Sequence, residues 1–438
     1  MANTHLSRTN GTPTTQNLWT WSAWVKFSND NQAGATDGTL LSEYQSASAW
    51  HKYERISNNR LRYNAGASGH GSFVTSRNFS DLNAWYHIVI INDWQNSTTA
   101  DRIRLYVNGV RETAFDSFNH PTSGGSRINE AGKNIRIGSY NNGLYFNGSM
   151  SHIHFTDGTA YDPSYFGSTD TTTGEWQINT SPSVTYGNNG YFILKDGNSV
   201  TDQSGNSNNW TIAGGTLRKT EDCPDNVFAT FNGAFNLSDI VLLRGNASAT
   251  SSGASWKYVP TTLGASSGKF YAEYLCGGSA NTFMHGVVDM EYAVSQDQNS
   301  YTQLGNGTGG MGYYSGGESY TTGTATSYGD SYAVGDYIGI ALDMDNNKVY
   351  FSKNGVWQNS GDPTSGATGT GALSLPTTGT YAFGTSVKDS SKTDANFGNG
   401  FFGTTPVSSA GTNASGNGIF EYDVPTGYTA LSTKGLNL

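Results

Sequence analysis

Trp19-Thr20-Trp21-Ser22-Ala23-Trp24-Val25-Lys26-Phe27 alternates: Trp19, Trp21, Ala23, Val25 and Phe27 fall on one side of an extended chain, with Thr20, Ser22 and Lys26 opposite. A period of two belongs to a β-strand with one face on a core and one toward solvent, and no helix would gather these residues on a single side. The expectation is a half-buried strand. Similar strands are predicted around Thr39–Ser42, Leu61–Asn64 and Trp85–Ile91. Next, Ile103, Leu105 and Val107 alternate with Arg102, Arg104 and Tyr106 and run into Asn108-Gly109, a pair suited to the two positive φ angles of a type I′ hairpin turn. Asn134–Gly138 and Gly148–Phe155 complete an antiparallel unit that closes near Tyr161–Gly167.

Beyond it, residues 169–232 are rich in Thr, Gly, Asn and Ser but contain Gly190–Lys195 and Asn209–Ile212, too apolar for a flexible linker. This stretch reads as a structured connector whose strands add to the first unit. A second unit follows, in which Ile338, Ile340, Leu342 and Met344 alternate with Gly339, Ala341 and Asp343, turn at Asn346-Asn347, return through Lys348–Ser352 and turn again at Asn354-Gly355. The predicted organisation is a sandwich over 1–168, a connector over 169–232, and a second sandwich with a C-terminal extension over 233–438.

Composition agrees with an all-β chain. Of 438 residues, 56 are Gly, 13% are aromatic and only 13% are charged, against about 25% charged in ordinary soluble domains. Short strands with many tight turns use residues in this way, whereas disordered chains lack the aromatics. The net charge of −10, with no run of Lys or Arg, removes the footprint of a nucleic-acid binder. Two cysteines, Cys223 and Cys276, cannot form a disulfide framework or a metal-binding cysteine cluster. The start, Met1–Arg8, lacks the charged and apolar segments of a secretory signal, and no stretch is apolar enough to insert in a membrane, so synthesis in a cytosol is expected.

With those residues in view, Trp19 to Gly167 resembles a laminin-G or concanavalin-A-like module: a Trp-rich first strand, Trp85–Val89, the Leu105–Gly109 hairpin, Ile135–Gly138, and Phe146–Met150 before the last strand. Gly268–Glu273, Val334–Asp345 and Val349–Gly355 resemble a SPRY domain. Asp202–Thr211 followed by Asp222–Thr230 resembles a segment of virion proteins of marine tailed phages, with Cys223 and Asp225 as departures. The resemblances imply a virion protein made of a concanavalin-A-like jelly roll and a SPRY-like sandwich.

Motifs for chemistry are incomplete. Laminarinase-type glycosidases of the first fold carry Glu-x-Asp-x-Glu on one strand, and the nearest approach, Val287–Glu291, has Val287 in place of the first acid and lies in the other module. Asp343–Asn347 begins like a calcium loop, but Lys348 and Asn354 stand where Gly and Glu are needed, so a β-turn is expected. His152 and His154 would project to one side of a strand without a nameable third ligand, which favours hydrogen bonding over metal. No catalytic residue, metal or cofactor is predicted; a structural calcium follows only from the family analogy, with no ligand assigned.

Sugar recognition by sandwiches uses aromatic rings that stack on pyranoses, beside side chains that bond the hydroxyls. Residues fitting that description are Trp50, Tyr53, Asp93, Trp94, Asn141 and Asn142 in the first module and Tyr301, Gln303, Tyr313, Tyr314 and Tyr320 in the second. The expected function is that of a non-enzymatic virion surface component, a capsid decoration or tail appendage, oligomeric in the particle. Its partners would be other virion proteins and a host-surface polysaccharide. An exported bacterial adhesin and a polysaccharide depolymerase are the alternatives.

Overall fold

The computed structural model describes residues 3–28, 38–56, 58–195, 197, 199–235, 239–295 and 303–438. It is all-β: two antiparallel sandwiches follow one another along the chain, and Met290–Ser295 is the only α-helix among the described residues. The chain divides into compact units Met1–Lys219 and Thr220–Leu438, so the division falls inside the stretch read as a connector.

The first unit packs an eight-stranded sheet against a six-stranded one. The larger runs in the order β10 (Phe115–Asn119), β6 (Ser72–Thr75), β5 (Leu61–Ala65), β4 (Ala49–Arg55), β3 (Gly38–Ser46), β11 (Asn134–Ile137), β1 (His5–Thr9), β16 (Thr211–Gly214). The smaller runs β15 (Tyr191–Ile193), β12 (Gly148–Asp157), β2 (Leu18–Phe27), β7 (Tyr86–Asp93), β8 (Ile103–Val107), β9 (Val110–Arg111). Strands β15 and β16 come from beyond Thr169; they pair with β12 and β1, which is why the unit extends to Lys219. Between the sheets lie Trp19, Trp21, Val25 and Phe27 of β2, with Tyr63, Phe73, Ile90, Phe155 and Tyr191.

One expectation needs correction. β2 is buried on both faces: Thr20, Ser22, Trp24 and Lys26, on the side expected to meet solvent, are at most 5% exposed. Their cover includes Trp176, from a small hairpin of β13 (Gly167–Thr169) and β14 (Trp176–Ile178) that belongs to neither large sheet. The indole reaches His87, the cross-strand neighbour of Trp24. The polar side chains there meet protein instead of water; Ser22 Oγ, for example, lies 2.8 Å from His87 Nε2.

The Asn108-Gly109 turn forms as predicted, with φ of 47° and 78°. A Cβ on Gly109 would stand 2.4 Å from the Trp176 ring, so this position is glycine for both its φ and its neighbour. Gly109→Ala should lower the stability of the first unit by about 1–2 kcal/mol, measured by urea unfolding.

The histidines of β12 do not form a plain i, i+2 pair. The register shifts between Ser151 and His154, and His152 sits at φ 46°. His152 Nδ1 is 2.8 Å from Ser151 Oγ, His154 Nδ1 is 2.9 Å from the Tyr186 hydroxyl, and both rings lie against Phe192.

In the second unit the main path of the larger sheet is β17 (Ile240–Leu243), β18 (Ser248–Ser251), β30 (Ser391–Asn396), β20 (Lys269–Gly278), β25 (Tyr337–Asp343), β26 (Lys348–Lys353), β27 (Val356–Trp357). Its partner runs β19 (Lys257–Pro260), β29 (Tyr381–Val387), β21 (Phe283–Asp289), β22 (Gly310–Tyr314), β23 (Glu318–Thr321), β24 (Thr324–Ser327). Ile338, Ile340 and Leu342 point inward as their alternation predicts, and Asn354-Gly355 turns with φ of 48° and 81°. The outer face of the larger sheet is covered by the C-terminal segment, where Phe420, Val424 and Tyr428 pack with Tyr271 and Tyr350. Buried Glu273 fastens this cover, accepting from the backbone N–H of Glu421 (2.8 Å) and of Tyr422 (2.9 Å) and from the Tyr271 hydroxyl (3.1 Å).

Candidate binding surfaces

On the outer face of the eight-stranded sheet, the pairing Tyr44↔Trp50 and Ser42↔Lys52 sets Tyr44, Trp50 and Lys52 side by side. A hairpin tip folds over them. Tyr140 and Gly143 exchange two backbone hydrogen bonds (2.9 and 2.8 Å), and Asn141 and Asn142 form the tip at φ 44° and 58°. Tyr140 meets Trp50 and Tyr44 edge to face, each at 5.4 Å, and the Lys52 ammonium lies 4.9 Å from its ring centre. Burial, with Tyr44 close by, pushes the Tyr140 hydroxyl up to about 12. Arg136 donates to Asn142 Oδ1 (2.9 Å), while the Asn141 and Asn142 side chains stay exposed at the edge of the rings. The result is an aromatic patch fringed by amides, with Lys52 beneath it paired to Glu54.

Of the residues predicted for this module, Trp50, Asn141 and Asn142 converge here. Tyr53 does not: it is 3% exposed, stacked on Tyr63 at 4.5 Å inside the core. Trp50 and Tyr53 are an odd number of residues apart on one strand, so the pleat sends them to opposite faces. Asp93 and Trp94 lie at the end of β7, in the other sheet; Asp93 pairs with Arg104 (3.5 Å), and Trp94 donates to Asn92 Oδ1 (3.1 Å) and edges onto His70.

In the second module Tyr313 and Tyr314 are neighbours on β22 and part the same way. Tyr313 is wholly buried and cannot meet a ligand, which corrects the expectation for it. Tyr314 stands half-buried between Trp256 (5.8 Å) and Tyr320 (5.9 Å), both edge to face, and Lys388 lies over the Trp256 ring. Tyr314 also lines an open groove of about 500 Å³ with Asn281, Asp336 and Lys353. Gln303 is half-buried, and Tyr301 lies outside the described residues. Tyr44, Lys52, Tyr140, Trp256 and Lys388 were not predicted. The available signal was Tyr140 directly before the Asn-Asn turn, and parity along the strand for Tyr44.

Reactive groups are held in neutral forms. Cys276 Sγ lies 3.5 Å from His285 Nε2, and His285 Nδ1 lies 3.1 Å from Thr385 Oγ1, an arrangement that outlines a nucleophile, a base and an orienting group. All three are buried in the core, and desolvation pushes the thiol up and the imidazole down to about 3. Cys223 donates to Asp225 (2.9 Å); burial, helped by that carboxylate, raises its thiol to about 12. Among the described residues no three His, Cys, Asp or Glu side chains are grouped to hold a metal ion, and no helix is long and apolar enough to cross a membrane.

Two family models match parts of this chain. Residues 2–162 match the model of the concanavalin A-like lectin/glucanases superfamily, and residues 282–386 match that of the SPRY domain. Domains of these kinds are often carbohydrate-binding or protein-interaction modules. Similar solved structures include the SPRY domain of human HERC1 (16% identity, 38% of this chain and 96% of that one, TM-score 0.29) and the TRIM65 PSpry domain (13%, 38% and 91%, TM-score 0.29). Stonustoxin is a third, at 16% identity over 38% of this chain and 27% of that one, with a TM-score of 0.30. No curated protein matches the chain.

Proposed function

We propose that this chain is a non-enzymatic surface protein of a tailed-phage virion that attaches to host-surface glycan through half-exposed aromatic rings and the exposed amides beside them. The observation that carries the glycan reading is the convergence of Trp50, Tyr44 and Tyr140 with the exposed amides of Asn141 and Asn142. Rings give a pyranose a surface to stack on, and amides at their edge fix its hydroxyls. The patch around Tyr314 adds the same chemistry in the second module. The placement on a virion rests on the likeness of Asp202–Thr211 and Asp222–Thr230 to phage virion proteins, and several copies per particle would turn weak contacts into avidity.

The non-enzymatic reading is supported by the structural roles of three buried acids. Asp157 accepts from the N–H groups of Thr14, Thr15 and Asn189 and from the Asn129 amide, and Glu54 pairs with Lys52 and Arg62. Glu273 holds the C-terminal cover.

Two measurements test the proposal. The protein should co-purify with phage particles, and its recovery only from lysate would contradict the virion role. Trp50→Ala and Tyr314→Ala should each weaken retention on purified host envelope polysaccharide roughly tenfold, the value of about 1–1.5 kcal/mol for a lost ring contact. Unchanged retention in both would remove these patches from the account.

A further inference from the structure

The structure points to a second ligand face, hidden under the β13–β14 hairpin. His87 and Trp24 stand side by side on the outer face of the six-stranded sheet, 0% and 4% exposed, with their rings stacked 5.0 Å apart. Trp176 lies over His87 at 5.9 Å and nearly parallel, at 16°, and donates its indole N–H to His87 Nδ1 (2.9 Å). An indole can only donate, so Nδ1 is the acceptor; the neutral ring then carries its proton on Nε2 and gives it to Ser22 Oγ (2.8 Å). His87 is thereby set in one tautomer, presenting a flat ring with one acceptor at its edge.

The piece that supplies Trp176 is built like a lid. Its two strands pair with each other and with no other strand. Its turn is a self-contained body: Asp170 N–H donates to Glu175 O (2.8 Å), and the Asp170 carboxylate accepts from Thr172 and Thr173 N–H (both 2.8 Å). Residues 171–175 are exposed, and Trp176 itself is half-exposed. Asn179 ties the neck through Tyr165 O (3.0 Å) and Phe166 O (2.9 Å), and Phe166 is buried against His154. The exposed turn is thus held at its neck by Phe166 and Asn179 and meets the sheet through Trp176.

The contact through Trp176 is incomplete. Trp176 satisfies the His87 acceptor, but the buried Trp24 indole N–H has no acceptor. A ligand that fits the face better brings an apolar side to stack on the rings and groups that both donate and accept at its edge. A pyranose does so, since each hydroxyl can take the Trp24 proton or give one to His87. We propose that the hairpin Gly167–Ile178 is a displaceable lid and that the Trp24–His87 face beneath it binds a sugar ring in place of Trp176.

The test uses the full chain, with cellohexaose, maltohexaose and mannohexaose as probes and tryptophan fluorescence as readout. Trp176→Ala should open the lid, so that protease cuts within Asp170–Glu175 faster, and should tighten binding of at least one hexaose tenfold or more. Trp176→Phe, which keeps a ring without the donor, should fall between it and the native chain and carries the test if the alanine variant does not fold. Adding Trp24→Phe should cancel most of the gain with little change in thermal unfolding. The inference is overturned if a folded, open-lid variant binds none of the hexaoses more tightly than the native chain, or if both Trp176 variants leave cleavage unchanged. Because the readout is a difference made by the lid, it fails separately from the exposed patches at Trp50 and Tyr314.

Discussion

Lowering the pH from 7 to 4.5 should lower the unfolding temperature of the first unit by more than that of the second. Desolvation holds His51 and His87 at about 3 and His154 well below its usual value, all in the first unit, whereas His285 is the fully buried counterpart in the second. An unfolded imidazole titrates near 6.5, so the stability each neutral ring contributes is complete above that value and drains away as the pH falls toward about 3. Each ring protonated only in the unfolded chain costs about 1.4 kcal/mol per pH unit over that window.

Buried carboxyls act in the opposite direction. Glu43 in the first unit and Glu273 in the second are raised to about 7 by burial, so they stabilise below about 4.5 and lose that contribution as the pH rises through 7. Glu54 in the first unit is also raised. Between 4.5 and 6.5 one carboxyl offsets one imidazole in the second unit, while the first keeps an excess of imidazoles. Its stability should fall by roughly 1–3 kcal/mol per pH unit, or more than about 5 °C over two units. Eight of the ten tryptophans lie in residues 1–219, so fluorescence follows this unit while calorimetry follows both. If the second transition moves first, or both move together, the buried imidazoles do not govern acid stability.

Glu273→Ala should produce the largest single-residue loss in the second unit, about 3–5 kcal/mol. The substitution strips the backbone N–H groups of Glu421 and Tyr422 and the Tyr271 hydroxyl of their acceptor, and each buried donor left unsatisfied costs roughly 1–3 kcal/mol. It also loosens the cover that packs Phe420, Val424 and Tyr428 on Tyr271 and Tyr350. Calorimetry should show the second transition lowered and the first unchanged, with protease entering the C-terminal segment early. A loss below about 1 kcal/mol would mean that packing alone holds the cover.

What the sequence reveals is what neighbouring residues decide. Asn108-Gly109 forms its turn because two residues set its geometry, and Ile338, Ile340 and Leu342 point inward because the pleat alternates whatever lies beyond it. The burial of Ser22, Trp24 and Lys26 was hidden because part of the cover comes from Trp176, about 150 residues downstream. Trp50 and Tyr53 separate by parity once β4 is known to be a strand, whereas residue type alone makes them equivalent. Tyr140 is not legible in the sequence because its partners Tyr44 and Trp50 become neighbours only through the β3–β4 register and the fold-back of the 140–143 hairpin.

The most direct test of the central claim, that this chain binds glycan without cleaving it, is to incubate it with purified host envelope polysaccharide and follow retention and reducing ends together. The account predicts that protein and polysaccharide elute as a complex while reducing ends stay constant over hours. A steady release of reducing ends, abolished by changing one carboxylate, would contradict it.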